Sequence, residues 1–160
     1  SLRFVTAVVE AKKEISNPEF VSVYGALGLA PAGSSVVWYG VHAMEMLQKL
    51  MGSGAVSLNA IQDSKGVICI VKYKNGNRGI AELNTSSYKY GGMVRTKENA
   101  YSFSVDMSMA YTLQLREAAR FFRGGESPVS LEDTLEVMDL LDTAQRSLDS
   151  GKEENLNGSY

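Results

Sequence analysis

The sequence of 160 residues predicts an α+β domain: a single, largely antiparallel or mixed β-sheet with helices packed on one face, the other face left open for oligomerisation. Three observations carry that prediction. Apolar residues recur at helical spacing in four separate segments, and the middle of the chain reads instead as consecutive short strands divided by turn residues. Alternate strand residues such as Ile68, Ile70, Ile80 and Leu83 leave neither sheet face fully polar.

The elements follow in order. Over residues 2–15, Val5, Val8, Val9 and Ile15 recur against Glu10, Lys12, Lys13 and Glu14, and Ser16, Asn17 and Pro18 stop the helix. Residues 20–27 alternate as a strand, and residues 28–35, with their Ala-Pro-Ala-Gly core, read as a loop. The stretch WYGVHAMEML then reads as an aromatic-glycine turn that becomes a helix over residues 41–51, with Val41, Met44, Leu47, Leu50 and Met51 on one side and Gly52 and Gly54 as stops.

Residues 55–62, 66–73, 78–83 and at least two segments within 88–105 read as an antiparallel meander, and Lys74-Asn75-Gly76-Asn77 is a hairpin turn signal. Met107, Tyr111, Leu115, Ala118 and Phe122 mark a helix ended by Gly124 and Gly125. Ser130 caps the last helix, Glu132 and Asp133 oppose its positive end, and Leu131, Leu135, Met138, Leu141 and Ala144 form its expected buried stripe. The domain is expected to occupy residues 1–150, followed by a polar, frayed tail over 151–160.

Hydrophobic residues at 44% and charged residues at 21% fit a folded globular chain. The 16 basic residues are scattered and the net charge is −2, so nucleic acid is not an expected partner. Neither a membrane-spanning run nor a secretory signal pattern is visible, and a single cysteine, Cys69, is compatible with a reducing compartment; a soluble, cytoplasmic protein is expected. The first residues read directly as a helix with no capping run, which raises the expectation of further chain upstream.

His42, the only histidine, is the side chain whose ordinary pKa of about 6.5 permits proton exchange near neutrality, and it is expected at a loop-to-helix junction. The competing reading is a histidine in the first helical turn bonded to a nearby carbonyl. His42 and Glu45 have H-x-x-E spacing, but the sequence contains no companion Glu-x-x-His, so no metal site is expected. Cys69, in VICIVKY, reads as a buried strand residue, and the glycines form no dinucleotide-binding G-x-G-x-x-G. Tyr88, Tyr90, Tyr101 and Phe103 could line a sugar-sized pocket, or could be core or interface residues.

Together, SLRFVTAVVEAKKEI, WYGVHAMEMLQKLMG, the hairpin strands and SPVSLEDTLEVMDLLDTAQRS resemble the C-terminal domain of the Gfo/Idh/MocA oxidoreductases, the glucose-fructose oxidoreductase and inositol dehydrogenase family. The resemblance implies the substrate-binding and oligomerisation domain of an oxidoreductase that acts on a sugar or polyol with NAD or NADP. The dinucleotide and the lysine of an E-K-P motif would belong to a preceding Rossmann domain. This chain alone would then bind no cofactor and be inactive, and it would form a homo-oligomer through the open sheet face. The family's D-x-G-x-H motif falls on W-Y-G-V-H, which makes His42 the residue implicated in proton transfer from the substrate hydroxyl and puts Trp38 where the family keeps an aspartate. Trp38 and Tyr39 become the substrate-contacting candidates. The alternative is a stand-alone, non-catalytic assembly or small-molecule binding module of the same fold.

Overall fold

Gly79 has no Cβ, and one built there would lie 2.8 Å from Leu47 Cδ1, so a helix can settle directly onto the centre of the sheet. The computed structural model describes residues 1–158. A 3-10 turn at Leu2–Phe4 leads into α1 (Thr6–Glu14), followed by β1 (Phe20–Ala26) and α2 (Ser35–Met51). Next come β2 (Ala55–Asp63), β3 (Gly66–Tyr73), β4 (Arg78–Asn84), β5 (Gly91–Arg95) and β6 (Ala100–Ser104). A 3-10 turn at Met107–Met109, α3 (Ala110–Phe122), α4 (Leu131–Ser150) and β7 (Glu154–Asn155) complete the order.

The seven strands form one mixed sheet in the order β6-β5-β1-β4-β3-β2-β7. The expected meander is therefore interrupted. β2, β3 and β4 are antiparallel neighbours, but β1 inserts between β4 and β5 and runs parallel to β4. The β3–β4 hairpin turns where expected: Gly76 adopts φ +86°, and Asn75 Oδ1 accepts from the Asn77 amide at 3.0 Å.

One sheet face is dry. Val21, Val23, Leu58, Val67, Cys69, Val71, Ala81 and Leu83 point into the core beneath α2 and α4, where they meet Met44, Leu47, Leu50, Val137, Leu140 and Leu141. Leu83 belongs to this covered face, whereas Ile68, Ile70 and Ile80 lie on the open one.

The buried stripe of α4 keeps Leu141 and Ala144 of its expected set but not the other three. Leu131, Leu135 and Met138 are exposed, while Val137, Leu140, Leu141 and Ala144 pack inward with the polar Glu136, Asp139, Thr143 and Ser147. Three of those four polar side chains have backbone partners, and Thr143 pairs with Asp139 and Arg146. Glu136 Oε1 accepts from the Gly54 and Ala55 amides at 2.7 and 2.8 Å, and Ser147 Oγ accepts from the Ala60 amide at 2.9 Å. Asp139 Oδ2 accepts from the Gly158 amide at 3.0 Å, and β7 pairs with β2, so the tail expected to fray is held as far as residue 158. Its last two residues lie outside the described residues.

The apolar residues that mark α3 face largely outward. Tyr111 is 70% exposed, Leu115 66% and Phe122 84%, and Ala110 is its only buried residue.

Candidate active site

The loop expected over residues 28–35 ends one residue earlier, because Ser34 caps α2 by accepting from the Val37 amide at 3.2 Å. The helix therefore starts well before residue 41. Trp38, Tyr39 and Gly40 are helical, and His42 lies two turns inside α2, at neither a loop junction nor a first turn. Gly40 permits this placement as a packing residue: a Cβ there would lie 3.1 Å from Leu83 Cδ1 and 3.3 Å from Leu141 Cδ2. Spacings of four and three residues put Trp38 and Tyr39 on the helix face that carries His42.

Glycines let aromatic rings pack closely around this face. Gly25, near the end of β1, has the Tyr90 ring where its Cβ would be, 2.7 Å from Cε1. Gly28, in the following loop, accommodates the Tyr39 ring in the same way, 2.5 Å from Cζ. Tyr90 meets the His42 ring edge-on, with centroids 6.2 Å apart and planes at 85°. Burial raises the Tyr90 phenol pKa; a hydrogen bond with the Ala26 backbone opposes that, and neighbouring Tyr111, Tyr39 and Tyr88 raise it further. Tyr90 thus links the His42 ring to Tyr39, Tyr88 and Tyr111, which act on its phenol.

His42 Nδ1 is enclosed and has no hydrogen-bond partner among the described residues. The carbonyl-bonded reading of this histidine therefore lacks its bond at that nitrogen. Burial lowers the His42 pKa, the Ser1 ammonium lowers it further, and Glu45 pulls it up. Glu45 is itself engaged elsewhere: Oε2 accepts from the Ser1 amine at 2.7 Å, and Oε1 lies 3.8 Å from Arg3 Nε. No group of three or more potential metal ligands occurs among the described residues.

The aromatic candidates divide. Tyr90, itself in the core, meets His42 with Tyr88 acting on its phenol, whereas Tyr101 and Phe103 lie on β6 and pack against the core away from it. Tyr111, one of the residues that mark α3, acts on the Tyr90 phenol. Only its position just after the β6 strand signal could have placed it near that phenol. Cys69 is fully buried, with its thiol pushed up to about 12 by desolvation, and serves the core.

No protein-family profile and no curated protein matches this sequence. Solved structures do match in shape. GenD2 from gentamicin A biosynthesis, solved in complex with NAD, superposes with a TM-score of 0.79 at 12% identity, over 98% of this chain and 62% of its own. Myo-inositol dehydrogenase from Lactobacillus casei, in complex with NAD(H) and myo-inositol, gives 0.79 at 10% identity, over 99% and 61%. Scyllo-inositol dehydrogenase from the same organism, with bound NAD(H) and scyllo-inositol, gives 0.77 at 9%, over 98% and 63%. This chain shares the α+β fold of the matched part of these dehydrogenases. It spans only about three fifths of the length of these dehydrogenases, and at such identities the likeness establishes architecture alone.

Proposed function

We propose that this chain is the substrate-binding and assembly domain of a nicotinamide-dependent oxidoreductase acting on a sugar or polyol, with the dinucleotide held by a Rossmann domain outside the present sequence. The observation that carries this reading is the half-buried imidazole of His42, edge-on to Tyr90 and on the α2 face that also carries Trp38 and Tyr39. Aromatic faces suit the C–H faces of a sugar or cyclitol, and a part-exposed imidazole beside them suits one of its hydroxyls.

The chain's own residues do not fit a dinucleotide. A phosphate cradle needs an open glycine turn between a strand and a helix, but at the β1–α2 connection the Tyr39 ring occupies the space beside Gly28. A nicotinamide supplied by another domain would accept the hydride from the alcohol carbon. The part of this chain is the proton. His42, neutral because burial lowers its pKa, takes the proton of the same hydroxyl as the carbonyl forms and becomes the imidazolium. Trp38 cannot hold that imidazolium as an aspartate would, so orientation of the ring falls to edge-on contact with Tyr90.

The open sheet face supports the assembly part of the reading. Tyr24, Ile61 and Ile68 are exposed there, more apolar surface than an isolated sheet ordinarily leaves to water. Among the described residues, no helix is long and apolar enough to cross a membrane.

The test is a substrate screen on the protein expressed from its complete reading frame. Inositols, aldoses and their derivatives are offered with NAD or NADP, and reduced nicotinamide is followed by absorbance. Turnover of at least one polyol or sugar is expected. If none turns over and saturating polyols shift neither the melting temperature nor Trp38 fluorescence, the stand-alone assembly module replaces this reading.

A further inference from the structure

The open face carries its charge in an asymmetric pattern that the strand register makes explicit. Arg95, Phe20, Arg78 and Lys72 are consecutive cross-strand partners on β5, β1, β4 and β3, forming a cationic row at one end of the face. Two residues along the strands, Met93, Ser22, Ile80, Ile70 and Asn59 form an uncharged middle row. Two further on, Gly91, Tyr24, Glu82, Ile68 and Ile61 form a row whose only charge is Glu82.

The cationic row is largely unneutralised. Lys72 is engaged with Glu153 at 2.6 Å. Arg78 and Arg95 both lie over the Phe20 ring, at 5.3 and 4.1 Å from its centroid, and neither has an acidic partner among the described residues. Arg95 Nε is buried without a hydrogen-bond partner, and the two guanidiniums border an open depression of about 550 Å³ with Glu19 and Asn77.

Two copies that pack open face to open face about a two-fold axis have two limiting arrangements. With the axis along the strands, each row meets itself, and Arg78, Arg95 and Lys72 confront their own copies. With the axis along the rows, the strands of the two sheets run in opposite directions and the cationic row meets the Glu82 row. Resting on the sheet-face assembly in the reading above, we propose that the partner is a second copy docked in this second register, with Arg78 of each copy paired to Glu82 of the other across a centre of Ile80 and Ile70.

The dimensions allow it. Residues 78 and 82 stand about 13 Å apart along the strand, so each lies about 7 Å from the central row, and sheets packed about 10 Å apart leave a gap that an arginine and a glutamate can bridge. The contact occurs twice by symmetry. β4 stacks on β4, so Ile80 faces its own copy, and Phe20 faces Tyr24.

Charge exchange tests the register. In sedimentation experiments on the full chain at low salt, Arg78→Glu and Glu82→Arg are each expected to weaken the dimer by about tenfold or more, and the double variant to regain most of that affinity. The stacking of Arg78 on Phe20 is lost in both Arg78→Glu and the double variant, so recovery reports the intermolecular pair alone. Thermal melts of the variants show whether each still folds. If each row met itself, the neutral Arg78→Gln would tighten the dimer by removing the like-charge contact, which overturns the proposal, as does a double variant no tighter than its parents. In either case, dissociation by Ile70→Asp would leave the sheet-face assembly standing. A wild-type chain that stays monomeric at micromolar concentration removes both.

Discussion

The two faces of this sheet share every backbone hydrogen bond and differ only in which alternate residues they present. The covered face is aliphatic and dry, with Gly79 thinning it to admit Leu47 and its valines, alanines and leucines meeting α2 and α4. The open face interleaves Ile68, Ile70 and Ile80 with Arg78, Arg95 and Glu82. A one-residue slip of any central strand would exchange the two sets, so the covered face fixes the register and the open face inherits its charge pattern from it. Stability resides on the first face and specificity on the second.

That division is testable by truncation. Leu83→Ala, on the covered face, should cost about 2–5 kcal/mol in urea unfolding, since the site is closed over by α2 and cannot collapse freely. Ile68→Ala, on the next strand but facing outward, should cost the folded monomer less than about 1 kcal/mol while weakening self-association. Equal losses from the two would break the comparison.

A smaller effect sharpens it. Glu136 is the polar island of the covered side, with Oε1 holding two turn amides and Oε2 buried without a partner beside a Tyr73 hydroxyl that also lacks one. Its charge and desolvation together push the Tyr73 pKa up, desolvation being the larger cause. Glu136→Leu should destabilise by about 1–3 kcal/mol because the Gly54 and Ala55 amides lose their acceptor. No loss in a denaturant melt would mean that water serves these amides equally well.

The smallest effect is a pH dependence. The folded-state pKa of His42 is lowered, so below about 6.5 the unfolded chain binds a proton that the folded chain resists. Stability contributed by the neutral ring is present above that pH and lost as pH falls towards the folded pKa. His42→Gln should flatten this segment of the melting-temperature profile, and an unchanged slope would assign the dependence to other groups. If Ser1 carries no free ammonium, burial alone sustains the shift, in a narrower window.

Much of this architecture is legible in the sequence where neighbours in sequence are also neighbours in space. The β3–β4 hairpin, the Ser130 cap and the Met44-Leu47-Leu50 stripe were all readable from local spacing. The early start of α2 was not, because Gly40 reads as a turn until Leu83 and Leu141 are seen filling the space it leaves. The α4 stripe was misplaced because Glu136, Asp139, Thr143 and Ser147 look like solvent residues but bury themselves on backbone amides and other polar groups. Insertion of β1 beside β4 joins segments more than fifty residues apart and leaves no local signal. The candidates His42, Trp38 and Tyr39 come from a motif resemblance, and Tyr88 and Tyr90 from their aromatic character. The glycine spaces that seat Tyr39 and Tyr90 come from tertiary contacts alone.

The most direct measurement is the pH profile of kcat/KM for a sugar or polyol oxidation by the complete protein, wild type against His42→Asn. The account predicts a limb in the wild type governed by a group titrating below about 6.5, and for the variant a loss of about a hundredfold or more together with disappearance of that limb. A variant with kcat/KM unchanged at neutral pH and the same limb would contradict it.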